Sequence, residues 1–306
     1  MSAAASPRPA AALSRTAFAT LLLIAFVMGA NHVAARLAFN HGVDVATAVT
    51  VRSAVTAVVV GLLIVLQGVS VRMTARHKRF LPLIGVLVAV QSLCLYSSVA
   101  RLPVALALLA FNSYPLWTAL WARVVYGHHA ERRVLQAMPV MLVGLALALD
   151  VFGAASGLGA AGQWGRIGIG VAFALGAAAT FGMVLVLTQH EVADLDGRLR
   201  TATTMGIVGA IACAGALAQG GFHWPQAAAG WLGLALLTFL YGSGITILFT
   251  VLPRLGVVGN SAIMNVEPIF ALVLAWAFLG QSIALVQVAG GLVVVGTVIW
   301  LGTRRR

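Results

Sequence analysis

The sequence predicts an all-α membrane protein: ten transmembrane helices arranged as two inverted five-helix repeats, with both termini cytoplasmic. Three observations predict it, namely an apolar composition, a series of long hydrophobic runs, and an internal repeat. Of the 306 residues, 61% are apolar and only 8% charged, and the mean hydropathy is +1.02. Charged residues make up about a quarter of an ordinary soluble domain. A chain with so few cannot cover itself in water, so its solvent is lipid.

A spanning helix needs about 20 mostly apolar residues. Runs at 17–39, 44–66, 81–99, 102–126 and 134–152 meet this, and so do 165–188, 200–219, 229–252, 256–279 and 284–302. They are too long for barrel strands and lack a two-residue alternation. The first run follows Arg8 and Arg15 and carries small residues at Ala34 and Ala35, as a cleaved secretory signal would. Its own polar groups and the spans behind it make it a retained first helix. The repeats are then 17–152 and 165–302, joined by an extracytoplasmic linker at 153–164. Residues 1–16 form a cytoplasmic segment and 303–306 a basic tail.

The formal net charge is +12, yet the cations do not form one nucleic-acid-binding face. They sit in short gaps: Arg72, Arg76, Lys78 and Arg79 in one, Arg132 and Arg133 in another, and the arginines at 304–306. Basic loops stay in the cytoplasm. With the N-terminus inside, the outer side keeps only Arg101 and Arg166. Reporter fusions after Arg79, Arg133 and Arg200 are therefore expected to read as cytoplasmic, and a fusion near Gln226 as external. An external signal at any of the first three breaks the ten-span topology. The expected location is the cytoplasmic (inner) membrane, crossed many times. Cys94 and Cys213 both lie in apolar runs and make no disulfide or metal framework.

The internal repeat is the most informative feature. Residues 101–127 lie over 254–280 without a gap, with identities at Arg101/Arg254, Leu102/Leu255, Val104/Val257, Asn112/Asn265, Pro115/Pro268, Ala122/Ala275 and Gly127/Gly280. Apolar identities are cheap in this composition, whereas an Arg, an Asn and a Pro in one register are not. The match extends loosely onward, with Gln136 near Gln287 and Gly144 near Gly296. Five helices per copy is an odd number, so the second copy lies upside down. Inverted repeats let a central site open to each side in turn, a recurrent plan of secondary transporters.

The stretch from Asn265-Val-Glu-Pro268 to Gly280, with its weaker copy from Asn112-Ser-Tyr-Pro115 to Gly127, resembles the drug/metabolite transporter superfamily. It is similar to the ten-helix members built of two tandem EamA domains, and Arg52 in the second helix matches a habit of that family. The resemblance implies export of small metabolites such as amino acids through a central cavity between the halves. Two departures stand out. The family tends to end each half's fourth helix in Gly-Glu, where this chain has Gly127-His128 and Gly280-Gln281. The first helix also carries an unusually polar set, Asn31, His32 and Arg36.

Ionisable groups in hydrocarbon are costly and usually face a cavity or a partner. Glu267 falls near the middle of the ninth run, as a proton carrier, a contact for a substrate amine, or a structural group beside Pro268. His32 and Arg36 share a helix face, and Arg52 reaches nearly the depth of His32. Together they form a candidate receptor for a carboxylate, Arg supplying a fixed charge and a two-pronged donor. The alternative is that Arg36 and Arg52 snorkel to the outer interface and meet Asp44. Asn31 either binds substrate or joins helices. Asn112 and Asn265 either line the cavity or support kinks at the prolines. Tyr114, Trp117 and Tyr241 are candidate walls, with Tyr96, Trp164 and Trp276 as further aromatics. Interfacial anchoring or packing is the competing role for each tryptophan.

The reading that follows is a secondary transporter, an exporter of small organic metabolites and most of all amino acids, working by alternating access. It needs no cofactor, it acts as a monomer, and its partners are a small substrate, protons and the bilayer, with no nucleic acid. A passive channel or facilitator is the alternative. An intramembrane enzyme ranks last, since the histidines are scattered and no paired acids or Walker motif occur.

Overall fold

The computed structural model describes residues 15–128, 132–153, 155–250 and 266–303. Among them the chain is helical throughout, without a strand. The first half comprises α1 (Arg15–Asn40), α2 (Val45–Leu66), α3 (Ala75–Arg101), α4 (Val104–Phe111), α5 (Tyr114–Tyr126) and α6 (Arg132–Ala148). The second comprises α7 (Gly159–Glu191), α8 (Gly197–Ala218), α9 (Ala228–Thr250), α10 (Glu267–Leu279) and α11 (Leu285–Thr303). Seven segments are long and apolar enough to span a membrane, α4 and α5 counting as one, and three shorter apolar helices stand at the fifth, ninth and tenth runs. This is consistent with ten spans in two repeats. The face at which α3 begins is called the basic face below, and the other the opposite face.

Local chemistry sets the boundaries, and in three places they differ from the hydropathy runs. α3 starts at Ala75 rather than 81, because Thr74 and His77 form a reciprocal cap: His77 N donates to Thr74 Oγ1 at 3.2 Å and Thr74 N to His77 Nδ1 at 3.4 Å. Its first turn is basic, so hydropathy hides it. α7 starts at Gly159, inside the stretch expected as a linker, and runs for 33 residues. The fourth run is not one helix. Pro115 has no N–H for the Phe111 carbonyl, so the chain breaks at Asn112 and Ser113, and Ser113 Oγ donates to the Ala110 carbonyl at 2.8 Å.

The second copy repeats this design. Val266 precedes α10 with φ −78° and ψ −2°, and Pro268 stands in its first turn as Pro115 does in α5. Both helices then end on a left-handed glycine, Gly127 at φ 70° and Gly280 at φ 63°, a conformation that glycine adopts without strain. Gln281, where the resemblance led to expect Glu, accepts the Val104 N–H at 3.0 Å. It thereby ties the end of α10 to a helix start that Pro103 cannot cap.

Helix pairing obeys the same exchange. α3 packs on α7 and α1 on α9, α2 on α8, and α6 on α11. Swapping the halves turns the first pair into the second and leaves the other two unchanged. The register that lays Arg101 on Arg254 also lays Gly29 on Gly182, Trp117 on Phe270 and Thr118 on Ala271. A Cβ on Gly29 would come 3.1 Å from Ala271 N, and one on Gly182 would come 2.8 Å from Thr118 N. The same close crossing thus occurs once in each half. Large apolar side chains such as Val58, Ile169, Phe239, Trp276 and Phe278 point outward, where they meet lipid.

Candidate functional site

One group of buried polar residues, Asn31, His32, Arg52 and Ser92, lies on α1, α2 and α3. Arg52, on α2, is 2% exposed. Its guanidinium donates to Tyr96 Oη and to Ser92 Oγ, each at 3.1 Å. It also lies over the Tyr241 ring, 3.8 Å from the centroid, and 4.7 Å from that of Tyr96. Aromatic faces attract a cation but do not neutralise it. No carboxylate stands within ion-pair distance of Arg52 among the described residues, and its Nε has no partner. A buried guanidinium that cannot lose its proton is expensive without a counter-charge. Its burial removes the snorkelling alternative.

Tyr96 links this cradle to the rest. Asn31, fully buried, exchanges hydrogen bonds with the Tyr96 hydroxyl at 3.0 and 3.2 Å. His32 lies beside the same ring, centroids 5.4 Å apart. Its Nε2 is 3.2 Å from Glu267 Oε1, and its Nδ1 is buried without a partner. Glu267 is the first residue of α10, directly after Val266. Gly29 makes the meeting possible: its missing Cβ lets the Glu267 carbonyl approach, since a Cβ there would lie 3.1 Å away. Gly29→Leu is expected to separate His32 from Glu267 and lower transport at least tenfold, with the detergent-solubilised protein still monodisperse. Full activity in that variant would show that the crossing does not position Glu267.

The other expected residues divide. Tyr114, first in α5, occupies the register of Glu267 and packs with Phe111 and Phe181 at 5.7 and 5.1 Å; it also lies within electrostatic reach of Glu267. Asn112 is buried with its Nδ2 unpartnered, while Ser113 serves the helix break. Trp117 packs against Gly182 at the α5–α7 crossing. Asn265 lies outside the described residues. Arg36 leaves the expected trio, since its NH1 donates to the Val99 carbonyl at 2.7 Å and holds the end of α3. Asp44 caps α2 through Thr47 N at 2.9 Å. Trp276 is 66% exposed and Trp164 42%, so neither lines the centre. Ser92 had no sequence signal at all.

The cluster is one-sided. In the repeat register Arg52 falls on Met205, His32 on Leu185 and Asn31 on Val184. The second half thus puts apolar side chains where the first puts polar ones, and Met205 Sδ merely accepts from the Tyr241 hydroxyl at 3.6 Å. A cleft of about 610 Å³ opens on the opposite face among Asn40, Asp44, Leu93, Ser97, Arg101 and Gln219. Leu93 adjoins the Ser92 that holds Arg52.

Two helical repeats with buried polar residues between them are consistent with a membrane transporter of small molecules. The chain belongs to the EamA-like transporter family, whose model matches residues 15–149 and again 168–303. Each match covers one repeat, and the two begin in the register that pairs the glycine crossings. No curated protein sequence matches the chain. A solved structure described only as the crystal structure of a protein is similar over 94% of this chain and 98% of its own, with a TM-score of 0.61 and 15% identity. That likeness concerns the fold alone.

Proposed function

We propose that the protein is a secondary transporter that exports small organic metabolites, amino acids first among them, across the cytoplasmic membrane by alternating access. The observation that carries the reading is Arg52, buried without a counter-charge among the described residues and one tyrosine away from the His32–Glu267 pair. A zwitterion supplies what each lacks: its carboxylate meets the Arg52 fork, and its ammonium competes with His32 for Glu267. Two sets of opposite preference in one small volume select for molecules carrying both charges. The basic face is cytoplasmic in this reading, because Arg72, Arg76, Lys78 and Arg79 lie on it.

The test is reconstitution into liposomes with radiolabelled amino acids, sugars and amines, with and without a pH gradient. Counterflow of labelled amino acid against excess unlabelled substrate is the expected result. Flux without counterflow would mark a channel or facilitator instead. Counterflow confined to sugars or simple amines would keep the carrier and discard the zwitterion.

A further inference from the structure

We propose that the basic face carries an electrostatic gate whose pseudo-symmetric mate on the opposite face is built mainly on glycine packing, so that ionic strength acts more strongly on the basic side of the transport cycle. The inference rests on the alternating-access reading, although the gate itself can be measured apart from transport.

On the basic face the ends of α3, α5 and α7 converge. Arg76 Nε donates to Glu191 Oε2 at 2.7 Å and its NH2 to the His190 carbonyl at 2.6 Å. The Tyr126 hydroxyl donates to the other Glu191 oxygen, while the Tyr126 ring stacks on His190 at 4.0 Å. One residue along α3, His77 Nε2 lies 2.9 Å from Asp194 Oδ1. That hydrogen bond holds the Asp194 carboxyl below the usual carboxylate range. Arg76, His77 and Tyr126 belong to the first half, Glu191, His190 and Asp194 to the second. Every bond in the set therefore crosses between halves.

The repeat register gives the equivalent place on the opposite face, where α9, α10 and α1 converge. Arg76 falls on Ala229, Tyr126 on Leu279, Glu191 on Ala38, His77 on Gly230 and Asp194 on His41. No ion pair is possible among them, and the contact is close packing instead. A Cβ on Gly230 would lie 2.8 Å from that of His41, and one on Gly233 2.6 Å from Ala38 N. The polar contacts beside this crossing are a backbone hydrogen bond, Gln226 N to the His41 carbonyl at 3.1 Å, and a looser pair of exposed His223 with Asp44 at 3.7 Å. If the halves exchange conformations, the polar contact must break to open the basic face and the packed one to open the other. Salt screens the exposed Arg76 charge and leaves glycine packing untouched.

The test uses the full chain with Cys94 and Cys213 replaced by alanine and spin labels at Lys78 and Gln189, both exposed on the basic face. A second sample carries labels at Asn40 and Ala228 on the other face. Arg76→Gln, Glu191→Gln and Tyr126→Phe are each expected to raise the fraction of long basic-face distances about two- to fivefold, the range set by a partly exposed ion pair. Added KCl should reproduce this in the unsubstituted gate and add little to the variants. The reciprocal pair Arg76→Glu with Glu191→Arg should recover part of the closed fraction. Unchanged distances in all three single variants, each monodisperse, would overturn the gate. So would an equal effect of KCl on both faces. Counterflow by the same liposomes reads the transport hypothesis separately: present with an unmoved gate, it spares the transporter and removes the gate.

Discussion

Arg52→Gln is expected to reduce amino-acid counterflow by about two orders of magnitude or more, since losing one partner of a buried charge pair typically costs 2–5 kcal/mol. Folding should move the other way. The substitution removes an uncompensated buried cation, and such groups are replaced by neutral ones at no cost or with a gain. The thermal midpoint is therefore expected to hold or rise while transport fails, a combination that a packing residue would not produce. Arg52→Lys should not rescue, because an ammonium cannot reach Tyr96 and Ser92 as a planar fork or lie flat over Tyr241. Substrate choice offers an internal control. The parent protein should discriminate strongly against the decarboxylated amine of its substrate, and the Gln variant should not. Equal transport by parent and Arg52→Gln would remove this residue from the site.

Glu267→Gln carries the second large effect. The side chain keeps its shape and a hydrogen-bonding contact with His32, but it can no longer titrate. If Glu267 exchanges a proton for substrate, the variant retains exchange yet loses accumulation driven by a pH gradient. One proton coupled to a one-unit gradient supports about tenfold accumulation, equivalent to about 1.4 kcal/mol, so the expected change is from about tenfold to none. A purely structural role at the start of α10 predicts normal behaviour in both assays, with damage only in Glu267→Leu. Wild-type transport indifferent to the gradient ends the coupling idea whatever the variant does.

Much of this was legible in the sequence, for a reason particular to membranes. Lipid leaves long apolar helices as the main solution, so hydropathy alone locates the spans. Arg101, Asn112 and Pro115, with their copies, announced the repeat because such residues are uncommon in this apolar composition. Arg52 and His32 drew attention for the same reason. What remained hidden depends on which faces meet. The partnership of His32 with Glu267 is decided by Gly29, whose significance is the absence of a side chain. Arg36 looked like a third ligand because it shares a face with His32, but the carbonyl it holds, Val99, belongs to a helix end that hydropathy does not orient. The basic-face contacts were hidden as well. His77 sits in a first turn too polar to score as membrane helix, and its partner Asp194 is far away in the chain.

The pairing of Arg52 with Met205 bears on how such a protein could have arisen from duplicated genes. Two identical chains assembled upside down would carry arginine at both positions, placing two guanidiniums, each with its own tyrosine-lined cradle, near one axis. Their mutual repulsion in a low-dielectric centre would oppose assembly, and a second anion would be needed to relieve it. Joining the copies in one polypeptide removes that constraint, because each can mutate alone. Fusion thus permits a single buried cation, Arg52, set off the axis of two repeats that otherwise share their helix pairing.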